Sequence, residues 1–328
     1  MTDTPFRIDV HHHQIPDVYR DALTHQSIGS AGGRDLPLWS PSLSLGVMDT
    51  YGIATSVLSI STPGTHFGDD VAARDLARRC NEASAELVAA HPSRFGFFAT
   101  APLPDLAGAT AEAIYALDDL GADGVVLLSS QSDGSYLGDP KYDELMAELN
   151  SRSAVVFIHP AEPVFAPDIQ VDIPIFAMEF TFDTTRAAFN LAYTGAAEKY
   201  PNIRFILSHA GGTVPYLVAR FDLLWFTDDD LAARAPRGGS AYLRDMYYDT
   251  ALSANPHAFS ALRELVGADH VVFGSDYPFA PDVVTGLTVD GLARAPFTDS
   301  ERHAVERDNA LSLLPTLARR LATSSSEA

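Results

Sequence analysis

The chain has 328 residues, of which 46% are hydrophobic and 20% are charged, a composition that supports a large core and excludes a wholly disordered protein. Its 22 basic and 43 acidic residues give a formal net charge of −21, which argues against nucleic acid and anionic membrane surfaces as partners. An anionic substrate would need a local positive charge to bind such a protein.

Short β-branched or aromatic runs alternate along the chain with longer stretches of helical periodicity. Eight runs are predicted to be strands, at residues 7–11, 56–60, 95–99, 124–128, 154–159, 204–209, 246–250 and 271–275. Helices are predicted between most of them, at residues 70–90, 105–120, 141–151, 187–199 and 257–266. This alternation predicts an α/β protein with a (β/α)8 TIM barrel. An open doubly wound sheet is disfavoured, because no Gly-x-Gly-x-x-Gly follows the first strand and no Walker-type lysine loop is present.

Residues 1–328 are predicted to form one barrel domain, because no shift in composition marks a boundary. Insertions rich in proline, glycine and polar residues are expected at about 14–42 and 160–174, and one that is first acidic and then basic at 227–240. The small, polar tail 323–328 is expected to be frayed. The single cysteine, Cys80, permits no intrachain disulfide, and no signal core or run of ~20 apolar residues is found. We therefore expect a cytoplasmic protein without membrane spans.

Histidine or aspartate stands at the predicted carboxyl ends of four strands, where barrel enzymes carry their reactive groups. These residues are His11, His12, His13, His159, His209 and Asp276. Residues i and i+2 of a strand face the same side, so His11 and His13 are expected inside the barrel and His12 toward the helices. Two imidazoles from one strand, a third from across the barrel and one carboxylate suit one divalent metal ion. Zn²⁺ fits this set well, with Mn²⁺ or Fe²⁺ as alternatives.

Each residue of this set also has a structural interpretation. His159 or His209 alone is compatible with a core histidine bonded to the backbone, and Asp276 alone with a helix N-cap before Tyr277-Pro278. The triple histidine follows Ile8-Asp9-Val10, which is not the context of an expression tag. The coincidence of four strand ends favours the metal site.

Several motifs resemble the amidohydrolase superfamily, and most closely its branch of mononuclear, non-oxidative decarboxylases of the aminocarboxymuconate-semialdehyde decarboxylase type. The matching segments are IDVHHHQIP at 8–16, VVFIHP at 155–160, FDTTRA at 182–187, ILSHAGGTVPYLVARFD at 206–222 and FGSDYPF at 273–279. The segments FDTTRA, FFATAPLPD at 97–105 and LGDPKYDELMAEL at 137–149 are similar to the subgroup that includes 6-methylsalicylate decarboxylase. The resemblance spans nearly the whole chain, in the order of the family.

The resemblance implies a role for each matching residue. The implied metal ligands are His11, His13, His159 and Asp276. His209 matches the catalytic histidine, and Arg220 matches an arginine that binds the substrate carboxylate, in some relatives from the neighbouring subunit. A homodimer or higher homo-oligomer is therefore expected. Another arginine that some relatives use has no clear match, because residues 59–63 fill that loop with neutral groups.

One metal ion is expected rather than two. Two-metal relatives of such barrels bridge their ions through a carbamylated lysine at a strand end. The two lysines of this chain, Lys141 and Lys199, both fall in predicted helices.

The predicted reaction is loss of CO₂ from a hydroxybenzoate of the salicylate type or a related unsaturated carboxylic acid. The ring carbon that bears the carboxylate must gain a proton, and Asp276 and His209 are both candidate donors. The resemblance implies Asp276 for salicylate-type substrates, with His209 orienting the substrate. Phe182 and Phe279 are predicted to stack on the substrate ring.

Two other functions remain open at this point. A metal-dependent hydrolase of a lactone or amide would use the same ligands, with metal-bound hydroxide as nucleophile and Asp276 as base. A binding barrel without catalysis would hold no tightly bound metal ion.

Overall fold

The computed structural model describes residues 6–326. Within that range the strands are β1 Arg7–His13, β2 Ser30–Ala31, β3 Arg34–Asp35, β4 Ile53–Ser59, β5 Phe95–Thr100, β6 Gly124–Leu128, β7 Val155–His159, β8 Arg204–Leu207, β9 Tyr247–Asp249 and β10 Val271–Val272. The α-helices are α1 Asp17–His25, α2 Pro41–Thr50, α3 Asp70–Ala90, α4 Leu106–Asp118, α5 Asp143–Ser151, α6 Glu179–Tyr193, α7 Ala196–Lys199, α8 Val214–Thr227, α9 Asp229–Arg234, α10 Gly239–Arg244, α11 Pro256–Val266, α12 Asp282–Ala293, α13 Asp299–His303, α14 Asn309–Leu313 and α15 Pro315–Ser326.

Eight of the strands form one parallel sheet in the order β1-β4-β5-β6-β7-β8-β9-β10. The sheet closes on itself because the Val10 N–H donates to the Phe273 carbonyl (2.9 Å) and the Asp276 N–H donates to the His11 carbonyl (2.8 Å). The predicted (β/α)8 barrel is confirmed, and all eight predicted strands are present with bounds shifted by a few residues. The short β2 and β3 pair antiparallel as a separate hairpin.

A bulge in β1 sets which side chains enter the barrel. Between Asp9 and His12 the strand contains one residue more than the facing segment of β4. Ile8, before the bulge, and Val10, within it, join an apolar cluster inside the barrel with residues of six other barrel strands and of α14 and α15. His11 and His13 also face the interior, nearer the carboxyl end of the barrel. The amino end of the barrel is thus apolar and closed by the last helices, and the carboxyl end is polar.

The predicted insertions differ in structure. Residues 14–42 contain α1 and the β2–β3 hairpin, residues 160–174 contain a 3₁₀ turn at Ala166–Asp168, and residues 227–240 contain α9. The helix predicted at 187–199 already begins at Glu179 and ends at Tyr193. The last helix runs to Ser326, so residues 323–326 are helical where a frayed tail is expected, and 327 and 328 lie outside the described range. No helix within residues 6–326 is both long and apolar enough to cross a membrane.

Candidate active site

Three imidazoles and one carboxylate meet inside the carboxyl end of the barrel. The ligand atoms of His11, His13, His159 and Asp276 all lie within 4.8 Å of one another, and all four residues are buried. His11 Nε2 lies 3.0 Å from His13 Nε2, and Asp276 Oδ1 lies 3.2 Å from the first of these nitrogens and 3.1 Å from the second. The predicted set therefore converges in space, from β1, β7 and the segment after β10.

The other ring nitrogen of each histidine is held by a neighbour outside this cluster. His11 Nδ1 donates to Asp249 Oδ2 (2.6 Å), His13 Nδ1 lies 2.9 Å from Ser59 Oγ, and His159 Nδ1 donates to the Pro160 carbonyl (2.9 Å). Such outer hydrogen bonds fix which nitrogen of a ring is free to bind a metal ion. All three rings thus point Nε2 toward the common centre. The three separations among His11 Nε2, His13 Nε2 and Asp276 Oδ1 are 3.0–3.2 Å. Ligand atoms that share one ion at a distance of ~2 Å are about 3–4 Å apart.

The electrostatics of the cluster favour the forms that bind a metal ion. Burial lowers the pKa of His13 to about 4, with a contribution from the charge of His11, and burial holds the pKa of His159 well below its usual value. Burial alone would raise the pKa of Asp276, but the charge of His11 and hydrogen bonds from the histidines hold it well below the usual value. The carboxylate is therefore ionised and two imidazoles are neutral near pH 7, as metal ligation requires.

His11 has the opposite shift. Burial disfavours its charged form, but the charges of Asp249 and Asp276 and the hydrogen bonds to them outweigh burial and raise its pKa to about 10. Two carboxylates thus favour a positive charge at the centre of the cluster. Without a metal ion, a proton on His11 supplies that charge. The donor set fits one divalent cation, which would replace this proton.

His209 lies beside the cluster without belonging to it. Its ring is buried and centred 5.0 Å from the His11 ring, and neither ring nitrogen has a hydrogen-bond partner among the described residues. Its backbone has a positive φ of 53°, and its N–H donates to Asp249 Oδ1 (2.9 Å). A buried polar ring without a partner is costly unless it serves a ligand. The catalytic role predicted for His209 stays a prediction, and this position would let its ring contact a ligand held over the cluster.

The cluster opens into a cavity of about 280 Å³. This volume is near the lower end of the range for small-molecule sites, about 300 Å³. His159, His209 and Asp276 line its floor, and Phe180 and Phe279 contribute aromatic surface. The Phe279 ring is centred 5.5 Å from the His13 ring, and the Phe180 ring lies 6.3 Å from the His159 ring. The cavity can hold a small aromatic molecule over the cluster.

Arg34 is the one basic side chain other than histidine that lines this cavity among residues 6–326. It stands on the β2–β3 hairpin, half-buried, and its guanidinium lies 5.8 Å from the centre of the Phe176 ring. No carboxylate within the described range pairs with it. The hairpin is fixed over the cavity because the Phe176 N–H donates to the Gly32 carbonyl (3.0 Å). Gly32 has φ +58°, and a Cβ there would clash with the Phe180 ring.

Two predicted substrate residues occupy other places. Phe182 is not among the residues that line the cavity, whereas Phe180, two residues earlier, is. The segment is already helical from Glu179, and residues two apart on a helix point about 200° apart. Arg220 is exposed on α8 and does not line the cavity of its own chain.

The buried Asp183 is a structural hub of the FDTTRA segment. It accepts hydrogen bonds from Ser130 Oγ (2.9 Å), the Tyr136 hydroxyl (2.6 Å) and the Ala161 N–H (3.2 Å). Arg186 lies 3.6 Å from Glu179 and 4.0 Å from Asp183. This segment therefore stabilises the loop after β7 and is not expected to contact a bound ligand.

Sequence reasoning missed Arg34, Phe180 and Asp249. Asp249 lies at the carboxyl end of β9, within the strand predicted at 246–250. This position at a strand end is a signal from which a role in the active site can be predicted. Arg34 lies on the short β2–β3 hairpin and Phe180 at the start of α6, and tertiary packing brings both to the cavity.

Comparisons with known proteins identify the family of the chain. A family model described as amidohydrolase matches residues 8–316. The chain is 37% identical over 323 residues to the 6-methylsalicylic acid decarboxylase of Penicillium expansum, covering 95% of this chain and 97% of that protein. It is 30% identical over 253 residues to the gamma-resorcylate decarboxylase of a Rhizobium species, covering 72% and 76%. A crystal structure of an amidohydrolase II superposes with a TM-score of 0.88 at 30% identity, covering 94% of this chain and 99% of that one. The chain therefore belongs to the amidohydrolase family, in its branch of decarboxylases.

Proposed function

We propose that this enzyme releases CO₂, without oxidation, from a hydroxybenzoate whose hydroxyl is ortho to the carboxylate. The observation that carries the proposal is the cluster of three imidazoles and one carboxylate at the floor of an aromatic cavity. The two decarboxylases compared above are named for 6-methylsalicylic acid and gamma-resorcylate, and both acids have this ortho arrangement. A divalent cation bound at the cluster would supply Lewis-acid stabilisation to the hydroxyl and carboxylate oxygens of the substrate.

The protein's own residues hold the ring and move the proton. Phe180 and Phe279 flank the space above the cluster, where they orient the substrate ring. Asp276 Oδ1 faces His11 and His13, which leaves Oδ2 on the side of His209, 3.6 Å from its Nε2. We assign Oδ2 as the atom that delivers the proton to the ring carbon. Because the pKa of Asp276 is low, it gains that proton only when substrate binds, and His209 faces the same oxygen and can supply it.

The proton on the ring carbon makes cleavage of the neighbouring carbon–carbon bond favourable. The carboxylate then leaves as CO₂, and its bonding electrons restore the aromatic ring. We propose Arg34 as the residue that attracts the carboxylate into this acidic protein, because its guanidinium lies on the cavity wall and pairs with no carboxylate among residues 6–326.

A homodimer is proposed from the surface of α8. Tyr216, Leu223 and Phe226 on that helix are 86%, 61% and 75% exposed, and Arg220 lies on the same face. A stripe of exposed apolar side chains is typical of an interaction surface. We propose that a second copy of the chain covers it and receives Arg220 near its own cavity.

Zn²⁺ is proposed as the metal ion because three nitrogens and one carboxylate oxygen are ligands that it prefers, with Mn²⁺ as the alternative. Metal analysis of protein purified without added metal tests this choice. A cytoplasmic location is proposed because the one cysteine, Cys80, is free and buried.

The proposed reaction is tested by incubating the enzyme with 6-methylsalicylate, salicylate and 2,6-dihydroxybenzoate and measuring CO₂ and the phenol produced. We expect equal amounts of the two products from at least one acid. A panel of aryl lactones and amides serves as the competing substrate class. Hydrolysis of that panel, with no CO₂ from any hydroxybenzoate, would overturn the proposal.

A further inference from the structure

One buried carboxylate contacts both the cluster and the turn that presents His209. Asp249, at the end of β9, is fully buried. Its Oδ2 accepts the hydrogen bond from His11 Nδ1 (2.6 Å), and its Oδ1 accepts hydrogen bonds from the backbone N–H of His209 (2.9 Å) and of Ala251 (3.0 Å). The two oxygens therefore serve two different parts of the active site.

We propose that Asp249 is a positioning residue that fixes the metal-binding nitrogen of His11 and the location of the His209 ring at the same time. The proposal rests on the proposed metal site and on the proposed role of His209. It assigns Asp249 no contact with substrate.

The contact with His11 determines which ring nitrogen carries hydrogen. A carboxylate only accepts hydrogen bonds, so the hydrogen of a neutral His11 lies on Nδ1, and Nε2 keeps its lone pair toward the cluster. Gly274 packs closely against both residues, because a Cβ placed on it would lie only 2.7 Å from His11 Cβ and 3.2 Å from Asp249 Cβ. His11, Asp249 and Gly274 are thus packed as one unit.

The contact with His209 holds an unfavourable backbone conformation. His209 and Ala210 both have positive φ, 53° and 56°, which residues with a side chain rarely adopt. The hydrogen bond from the His209 N–H anchors the start of this turn to β9. Since the ring nitrogens of His209 have no hydrogen-bond partner among residues 6–326, the ring is held by its backbone anchor and by packing against the His11 and His159 rings.

Each of the other two ligand imidazoles, His13 and His159, has its own hydrogen-bond partner at Nδ1. Ser59 contacts His13, and the Pro160 carbonyl contacts His159, and neither contacts the His209 turn within the described residues. Asp249 differs because both of its oxygens are used, by different elements. This difference makes the substitution Asp249→Asn informative.

Asparagine has nearly the same volume but replaces one acceptor oxygen by a donor NH₂ group. In either orientation, that NH₂ faces a hydrogen of His11 Nδ1 or the N–H groups of His209 and Ala251. We expect Asp249→Asn to weaken binding of Zn²⁺, measured by competition with a chelator, by about 10- to 100-fold. We also expect kcat with saturating Zn²⁺ to fall at least about 10-fold, because the ring of His209 loses its position.

Asp123→Asn is the matched control. Asp123 is also buried, and it accepts hydrogen bonds from the Phe97 N–H (3.0 Å) and Arg320 Nη2 (2.8 Å) just before β6, at the opposite end of the barrel. The control tests whether loss of any buried carboxylate disturbs the site. We expect its Zn²⁺ affinity and its kcat to equal those of the wild type.

The outcomes separate this inference from the proposed function. A wild-type chain that binds no divalent ion would overturn both. A wild-type chain that binds Zn²⁺, together with an Asp249→Asn variant of unchanged affinity or unchanged kcat at saturating Zn²⁺, would overturn this inference alone. Should the variant fail to fold, ¹⁵N NMR of the Zn²⁺-loaded wild-type protein decides. We expect His11 to be protonated at Nδ1 and metal-bound at Nε2, and the reverse would overturn the inference.

Discussion

His209 Nε2 lies 3.6 Å from Asp276 Oδ2, slightly beyond hydrogen-bond distance, and both residues have left-handed backbone conformations, with φ values of 53° and 63°. Each follows a short barrel strand, β8 or β10, at the carboxyl end. Strained backbone of this kind persists where the surrounding structure holds it and is frequent at active sites. The pair therefore defines the place where we expect the proton to be transferred.

Replacing His209 by alanine separates metal binding from catalysis. Because His209 is not among the four clustered ligand residues, His209→Ala is expected to keep wild-type metal content and to lose at least about 100-fold in kcat. His159→Ala serves as the comparison and is expected to lose both metal and activity. Metal analysis and CO₂ release measure the two effects, and a fully active His209→Ala variant would contradict the assigned role.

Metal binding is expected to release a proton. The pKa of His11 is raised to about 10 without metal, so the imidazole is charged at pH 8 and must lose its proton to become a ligand. The affinity for Zn²⁺ should therefore rise with pH, by about tenfold per unit, up to about pH 10. Calorimetric titrations in buffers of different ionisation enthalpy should give about one proton released per ion. Release of no proton would contradict this account of His11.

Arg34→Gln tests recognition of the carboxylate. Loss of one charge-assisted contact is expected to raise KM for 6-methylsalicylate by about 10- to 100-fold with metal content unchanged. Binding of 3-methylphenol, which has no carboxylate, should stay the same. Arg204→Gln is the control, because Arg204 is exposed at the amino end of β8 and changes the net charge equally. Equal KM values for Arg34→Gln and the control would show that Arg34 does not bind the substrate.

Phe180 and Phe182 form a matched pair on one helix. Phe180→Ala removes a wall of the cavity and is expected to raise KM about 3- to 10-fold. Phe182→Ala removes the same atoms outside the cavity and should leave kcat/KM within twofold of wild type. The opposite ranking, measured by steady-state kinetics, would restore Phe182 as the substrate contact.

The sequence contained enough information to predict the barrel and the cluster. His11 and His13 share a face because they are two residues apart on a strand, and His159 and Asp276 follow from their places at or just after strand ends. The bulge in β1 does not change the two-residue spacing of His11 and His13. Because of the bulge, Ile8 and Val10 also face the barrel interior. Local periodicity and strand-end position were sufficient for these residues.

The residues that line the cavity wall could not be predicted from periodicity and strand-end position. Arg34 reaches the site through a two-residue strand in an insertion, and its place depends on the contacts between Gly32 and Phe176. Local pattern does not distinguish Phe180 from Phe182, because the helix predicted at 187–199 already begins at Glu179. Both residues lie in segments whose position is set by tertiary packing rather than by local pattern.

We expect decarboxylation to require one cation, held by the four side chains of the cluster. The most direct test removes all metal with a chelator and then measures CO₂ release from 6-methylsalicylate as Zn²⁺ or Mn²⁺ is added back. We expect no activity without metal and a linear rise that ends at about one ion per chain. Full activity of the metal-free protein, or a rise that continues to about two ions per chain, would contradict the account.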